Sequence, residues 1–121
     1  MKILLADPHP EVRTALRLVL EQQAGLLVLG EIRDAFELVA QAVQDCPDVI
    51  LLDPDLPGVR ASLEKLVAAL KARCPCARVV ALSSHPGAER ECLEAGAEAF
   101  FCKSDPPDAL LAFLREGTGR R

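Results

Sequence analysis

The chain has 121 residues, half of them apolar and 26% charged, with a formal net charge of −4. That length suits one domain with its own core, and the acidic balance, with only Arg120-Arg121 as a basic cluster, argues against direct nucleic-acid binding. No apolar run reaches the length of a membrane span, and Met1-Lys2-Ile3-Leu4-Leu5-Ala6-Asp7 meets an acid too early for a signal peptide, so a cytoplasmic location with no membrane partner is expected.

The chain alternates short apolar runs with helical patterns. Ile3-Leu4-Leu5-Ala6 predicts a first strand, and Val12, Ala15, Leu16, Val19 and Leu20 then fall at helical spacing. A second run, Leu26 to Ile32, is interrupted by Gly30-Glu31, as an edge strand would be. Asp34 can cap a second helix whose stripe is Phe36, Val39, Ala40 and Val43. Val49-Ile50-Leu51-Leu52 is apolar throughout, the pattern of a strand buried on both faces. A third helix carries Leu63, Leu66, Val67 and Leu70 and stops before Cys74-Pro75. Val79 to Leu82 predicts a fourth strand, and a short helix from about Pro86 to Ala95 closes at Gly96. Ala99-Phe100-Phe101-Cys102 is the fifth strand, followed by a last helix that begins near Ser104 to Pro107 and ends at Gly117. This (βα)5 alternation predicts an α/β fold, a parallel sheet with helices on both faces. Residues 1–116 form the expected domain, and 117–121 a flexible tail or the start of a linker.

The five cysteines, Cys46, Cys74, Cys76, Cys92 and Cys102, are odd in number and scattered, which argues against a disulfide framework. Cys74-Pro75-Cys76 lacks a second ligand pair and has the wrong gap for a zinc knuckle, so small apolar thiols are the simpler reading.

In a parallel sheet the carboxyl ends of all strands share one edge, where open α/β sheets place ligands and chemistry. Here those ends carry Asp7, Asp53, Ser83 and Lys103. Two acids, a hydroxyl and an amine suit phosphoryl transfer to a carboxylate: Asp53 as nucleophile, Asp7 toward Mg²⁺, Lys103 and Ser83 toward phosphoryl oxygens. Any one of these residues alone reads as a polar loop residue.

Several segments carry a family resemblance: Leu4-Leu5-Ala6-Asp7-Pro8-His9-Pro10, Val49 to Gly58, Val80-Ala81-Leu82-Ser83-Ser84 and Ala99 to Lys103. With them the chain resembles a two-component response-regulator receiver domain over nearly its whole length. The Ala-Asp-x-His-Pro opening is most similar to receivers that usually precede a helix-turn-helix output domain. The resemblance implies a doubly wound, flavodoxin-like sheet of order 2-1-3-4-5, an order typical of this class. It implies phosphorelay signalling, with Asp53 as phospho-acceptor, Ser83 as switch hydroxyl, Lys103 as phosphate contact and Phe100 as switch aromatic. Mg²⁺ would be held by Asp7, Asp53 and the main-chain carbonyl of Asp55. A sensor histidine kinase or small phosphodonor would supply the phosphoryl group, with a homodimer through the fourth and fifth helices as a further implied partner.

The chain departs from this pattern at Pro8, where the family has a second acid that binds metal directly. Proline offers neither a side-chain ligand nor an N–H, so Mg²⁺ affinity should fall unless the Asp55 side chain compensates. His9 and His85 read first as exposed loop residues and second as softer metal ligands. Val59-Arg60-Ala61-Ser62 also departs, suggesting a different start to the third helix, and Phe100 stands where tyrosine is commoner. Two other functions compete: a phosphorylation-independent pseudo-receiver acting as an interaction module, and a small haloacid-dehalogenase-like phosphatase built on Asp53-x-Asp55. Pro57, and the lack of an acidic pair after Lys103, count against the phosphatase.

Overall fold

The strands of the computed structural model, which describes residues 1–59 and 62–118, all run parallel. They are β1 (Lys2–Ala6), β2 (Leu27–Ile32), β3 (Val49–Leu52), β4 (Arg78–Ser83) and β5 (Ala99–Cys102), in the order β2-β1-β3-β4-β5. The helices are α1 (Pro10–Glu21), α2 (Ala35–Asp45), α3 (Leu63–Arg73), α4 (Glu89–Glu94) and α5 (Asp108–Thr118), with a 3₁₀ turn at Pro86–Ala88 before α4. The expected 2-1-3-4-5 sheet and edge position of β2 are thus observed. The last helix runs through Gly117 to Thr118 rather than stopping at Gly117. Of the expected tail, residues 119–121 lie outside the described residues.

The period-two alternation of strands divides the core. Leu4, Ala6, Ile50 and Leu52 face one layer with Leu38 and Ala42 of α2 and Leu66, Val67 and Leu70 of α3. Ile3, Leu5, Val49 and Leu51 face the other, with Leu20 of α1 and Leu110 and Leu114 of α5. Both β1 and β3 are therefore apolar at nearly every position because each face is covered.

Local chemistry sets the helix ends. The Asp34 side chain accepts from the Glu37 N–H at 2.8 Å, as expected of a cap, and Glu37 reaches back to accept from the Arg33 N–H at 2.9 Å. Ser62 caps α3 by accepting from the Lys65 N–H at 3.0 Å; Arg60 and Ala61, in the segment expected to alter this start, lie outside the described residues. α4 closes at Gly96, whose φ of 112° is open to glycine and strained for other residues. Gly58, with φ of 92°, packs so close to α2 that an added Cβ would lie 3.1 Å from Ala35 Cβ. There the Ala35 N–H donates to Pro57 O at 2.8 Å, so the loop after Asp53 is docked on the start of α2.

Two stripes differ from expectation. On α2 the buried residues are Ala35, Leu38 and Ala42, while Phe36 is 86% exposed, Ala40 and Val43 are also exposed, and Val39 is only partly buried. Small Ala35 and Ala42 let the helix approach its neighbours closely, and Phe36 is rotated out. Leu38→Ala is expected to cost about 2–4 kcal/mol and Phe36→Ser less than about 0.5 kcal/mol, compared by urea unfolding. On α1 only Leu20 of the expected stripe is fully buried; Val12, Leu16 and Val19 are half-covered, and Ala15 is exposed. Val12, Ala15, Leu16 and Val19 line a groove of about 320 Å³ between α1 and α5, with Leu16 also packed against the core beneath it.

Candidate functional site at the carboxyl edge of the sheet

Asp7, Asp53 and Lys103 each sit one rung beyond the end of a strand, and Ser83 is the last residue of β4 rather than the residue after it. The Asp7 N–H donates to Ile32 O at 3.2 Å, the Asp53 N–H to Ala6 O at 2.9 Å, and the Lys103 N–H to Ser83 O at 2.8 Å. The ladder of the sheet thus continues into the site and fixes its backbone.

The Asp7, Asp53 and Lys103 side chains converge as strand-end placement implies. Asp7 and Asp53 are each only 3% exposed, and Ser83 is fully buried. Lys103 Nζ lies 2.5 Å from Asp7 Oδ2 and also donates to Asp53 Oδ2, bridging the two acids. Asp7 Oδ1 accepts from the His9 N–H at 2.8 Å, and Asp53 Oδ1 from the Asp55 N–H at 2.7 Å. Ser83 Oγ accepts from the His85 N–H at 3.0 Å. Burial alone would lower the pKa of Lys103, but its hydrogen bonds to Asp53 and Asp7 and their charges outweigh that and raise it. The lysine is a fixed cation. Because it neutralises only one of two carboxylates, the site carries one net negative charge.

Asp55 is placed differently. Its side chain is 61% exposed, and its carboxylate meets His85 Nε2 at 3.5 Å. Its main-chain N–H, not its side chain, touches Asp53. His9 and His85 are exposed, as first read. Phe100 is half-buried and belongs to neither core cluster, whereas Phe101 meets Phe113 edge to face at 5.7 Å. Cys92, fully buried on α4, has its thiol pKa pushed up to about 11, by burial first and then by Glu91, Asp53 and Asp55.

Arg13 was not singled out from the sequence. It is 8% exposed, its Nη1 donates to Asp7 O at 2.5 Å, and its Nε donates to Glu31 at 3.3 Å. Arg17 joins through Glu31 at 3.0 Å. The signal was a charged residue three before Leu16 and seven before Leu20, on the inner face of α1.

Among the described residues no group of three or more His, Cys, Asp or Glu side chains is arranged to hold a metal. The donor set still fits a hard, largely hydrated cation. Each of the four Asp7 and Asp53 carboxylate oxygens has one protein partner, and an ionised oxygen can accept a further contact.

A doubly wound, flavodoxin-like parallel sheet with two buried acids and a lysine at its carboxyl edge defines the class of α/β domain. The family described as the response regulator receiver domain matches residues 3–115, and the chain belongs to it. The chain is 34% identical over 117 residues to the transcriptional activator protein ExaE of Pseudomonas putida, covering 95% of this chain and 54% of that protein. It is 30% identical over 117 residues to a nitrate/nitrite response regulator protein homolog of Haemophilus influenzae, covering 95% and 55%. The chain spans about half the length of the curated relatives it matches. Among solved structures, a LuxR-family two-component response regulator from Aurantimonas sp. SI85-9A1 superposes with a TM-score of 0.85 at 28% identity, over 99% of this chain and 86% of that one. RcsB of Salmonella enterica serovar Typhimurium, bound to a promoter in the presence of the phosphomimetic BeF3-, gives 0.82 at 26% identity, over 97% and 60%. Receiver domains act in two-component systems, interact with sensor kinases, generally bind Mg²⁺ in an acidic pocket and are generally not true enzymes. No described helix is long and apolar enough to cross a membrane.

Proposed function

We propose that this chain accepts a phosphoryl group on Asp53 and passes the change to a protein-interaction surface, with weakened dependence on Mg²⁺. The observation that carries this reading is Lys103 bridging Asp53 and Asp7 beside the buried Ser83. One Asp53 oxygen attacks the phosphorus of a phosphohistidine or small phosphodonor. The new P–O bond forms as the P–N or leaving P–O bond breaks, and the leaving group takes up a proton. Lys103 contacts a phosphoryl oxygen as a point charge, and the Ser83 hydroxyl donates to another. Asp7, Asp53 and the Asp55 main-chain carbonyl would hold Mg²⁺, which when bound supplies positive charge against the phosphoryl oxygens. Phe100 is the proposed switch aromatic; its partial burial leaves the ring room to reorient.

The test is intact-mass measurement after exposure to a small acyl phosphate or phosphoramidate with Mg²⁺. We expect one phosphoryl adduct on wild type, more slowly than on a receiver with both acids, and none on Asp53→Asn. No adduct on wild type under conditions that label such a control overturns the reading, and an adduct that survives Asp53→Asn moves the acceptor elsewhere.

A second reading, an interaction module used without phosphorylation, draws on Pro8 and on Lys103 already pairing with both acids. A homodimer through α4 and α5 is compatible with either, since Leu93 on α4 is 42% exposed and Ala109 and Ala112 on α5 are exposed. Light scattering across a concentration series tests it. For the phosphatase alternative, turnover of a generic phosphate monoester is the check, and none is expected.

A further inference from the structure

We infer that Cys46 and Cys74 form a redox-modification site, a dithiol that a peroxide-class oxidant converts to a disulfide joining the C-terminal ends of α2 and α3. Cys46 is the C-cap of α2 and Cys74 the C-cap of α3. Both converge on a single acceptor atom. The Cys46 N–H donates to Ala42 O at 2.9 Å, and Cys74 Sγ donates to the same oxygen at 3.2 Å from the neighbouring helix. The Cys46 thiol itself donates to Val43 O at 3.9 Å, one residue from that shared acceptor, and burial first, then neighbouring Cys46, push the Cys74 thiol pKa up.

The backbone adds a second, independent observation. Cys46 has φ 46° and ψ 65°, the one non-glycine residue with positive φ among the described residues. A helix C-terminus in that conformation favours glycine, or asparagine after it, and strain held by another residue is often a mark of function. Local preference therefore does not account for a cysteine at this position.

The two thiols have different parts. Cys46 is exposed and meets the oxidant, while Cys74 is buried and waits beside it as the resolving partner. The Cys46 thiolate attacks one peroxide oxygen and the O–O bond breaks, leaving a sulfenic acid and releasing water after proton uptake. Cys74 loses its proton and attacks the sulfenic sulfur; the S–S bond forms, the S–O bond breaks and a second water leaves. Two thiols lose two hydrogens and hydrogen peroxide becomes two waters. The closed loop would enclose β3, Asp53 and α3, and the bond would lie at the sheet edge opposite Asp53, because the helices run back against the strands.

Cys76 is exposed, two residues from Cys74, and serves as the internal control. The folded full chain is treated with hydrogen peroxide, then digested without reduction and mapped by mass spectrometry. We expect a Cys46–Cys74 linked peptide, an intact mass lower by two hydrogens, and a thermal midpoint raised by roughly 5–10 °C and restored by dithiothreitol. Cys46→Gly, which suits the backbone there, should lose the link and the thermal shift, whereas Cys76→Ser should keep both. Linkage through Cys76, only intermolecular disulfides, or Cys46 carried to sulfinic acid without a crosslink would each overturn the proposal.

Discussion

Under the proposed function, Pro8→Asp is expected to tighten Mg²⁺ binding at least about tenfold and to speed phosphoryl uptake on Asp53 correspondingly. The expectation rests on charge. The native pocket holds two buried carboxylates against one lysine, so a divalent ion meets one net negative charge. A third carboxylate would add an attraction of about 4 kcal/mol per unit charge at 4 Å and an effective dielectric of 20, before the cost of stripping water. Even after most of that is offset, a tenfold gain needs only about 1.4 kcal/mol. Without Mg²⁺ the added acid repels its neighbours, so the variant should be less stable than wild type in chelator and recover when the ion is added. Calorimetric titration suits this chain, which has no Trp or Tyr to report binding optically. Equal Mg²⁺ affinity in the two proteins would show that position 8 does not face the ion.

Lys103→Met is expected to lower stability by about 2–4 kcal/mol at neutral pH, because it leaves two carboxylates buried at 3% exposure without their shared cation. Mg²⁺ should restore part of the loss, by binding the same oxygens and stabilising only the folded state. The pH dependence has a definite sign. The folded-state pKa of Lys103 is raised above its ordinary 10.5, so the folded protein holds this proton more tightly than the unfolded chain. Its contribution is therefore fully present below that ordinary value and is lost as pH rises through the folded value. The gap between wild type and Lys103→Met should stay constant from neutral pH to about 10 and narrow above it, as followed by urea unfolding with circular dichroism. A gap that already closes near pH 8 would contradict the raised pKa.

The strands were legible because their signal is local. Val49 to Leu52 and Ala99 to Cys102 are read to the residue, since each apolar run meets a charged or acidic residue at one end or both. The site followed almost without further information: a parallel sheet must bring its strand ends to one edge, and Asp7, Asp53 and Lys103 meet there. Side-chain direction was less legible. Phe36 is the largest apolar residue of α2 and drew the expected stripe onto its own face, yet close packing favoured the face with Ala35 and Ala42. Periodicity cannot choose between two apolar faces that lie one residue apart. The Asp55 side chain was a candidate to compensate for Pro8, but after Asp53 the chain is a turn, where strand alternation no longer applies, and its carboxylate goes to His85. The meeting of Cys46 and Cys74 depends on how α2 packs on α3, which no spacing within either segment records.

The rungs that carry the sheet into the site have a consequence for how its chemistry can change. Asp7, Asp53 and Lys103 are positioned by main-chain bonds to Ile32, Ala6 and Ser83, which any residue with an N–H could make. Scaffold and reactivity are thus written in different atoms. A side chain at this edge can be exchanged while the ladder that aims it persists, and Pro8 stands immediately outside that ladder, where losing an N–H breaks no rung. Single substitutions can therefore change the chemistry of such a domain while the rungs that aim its side chains remain, and what they cost is the pairing between those side chains.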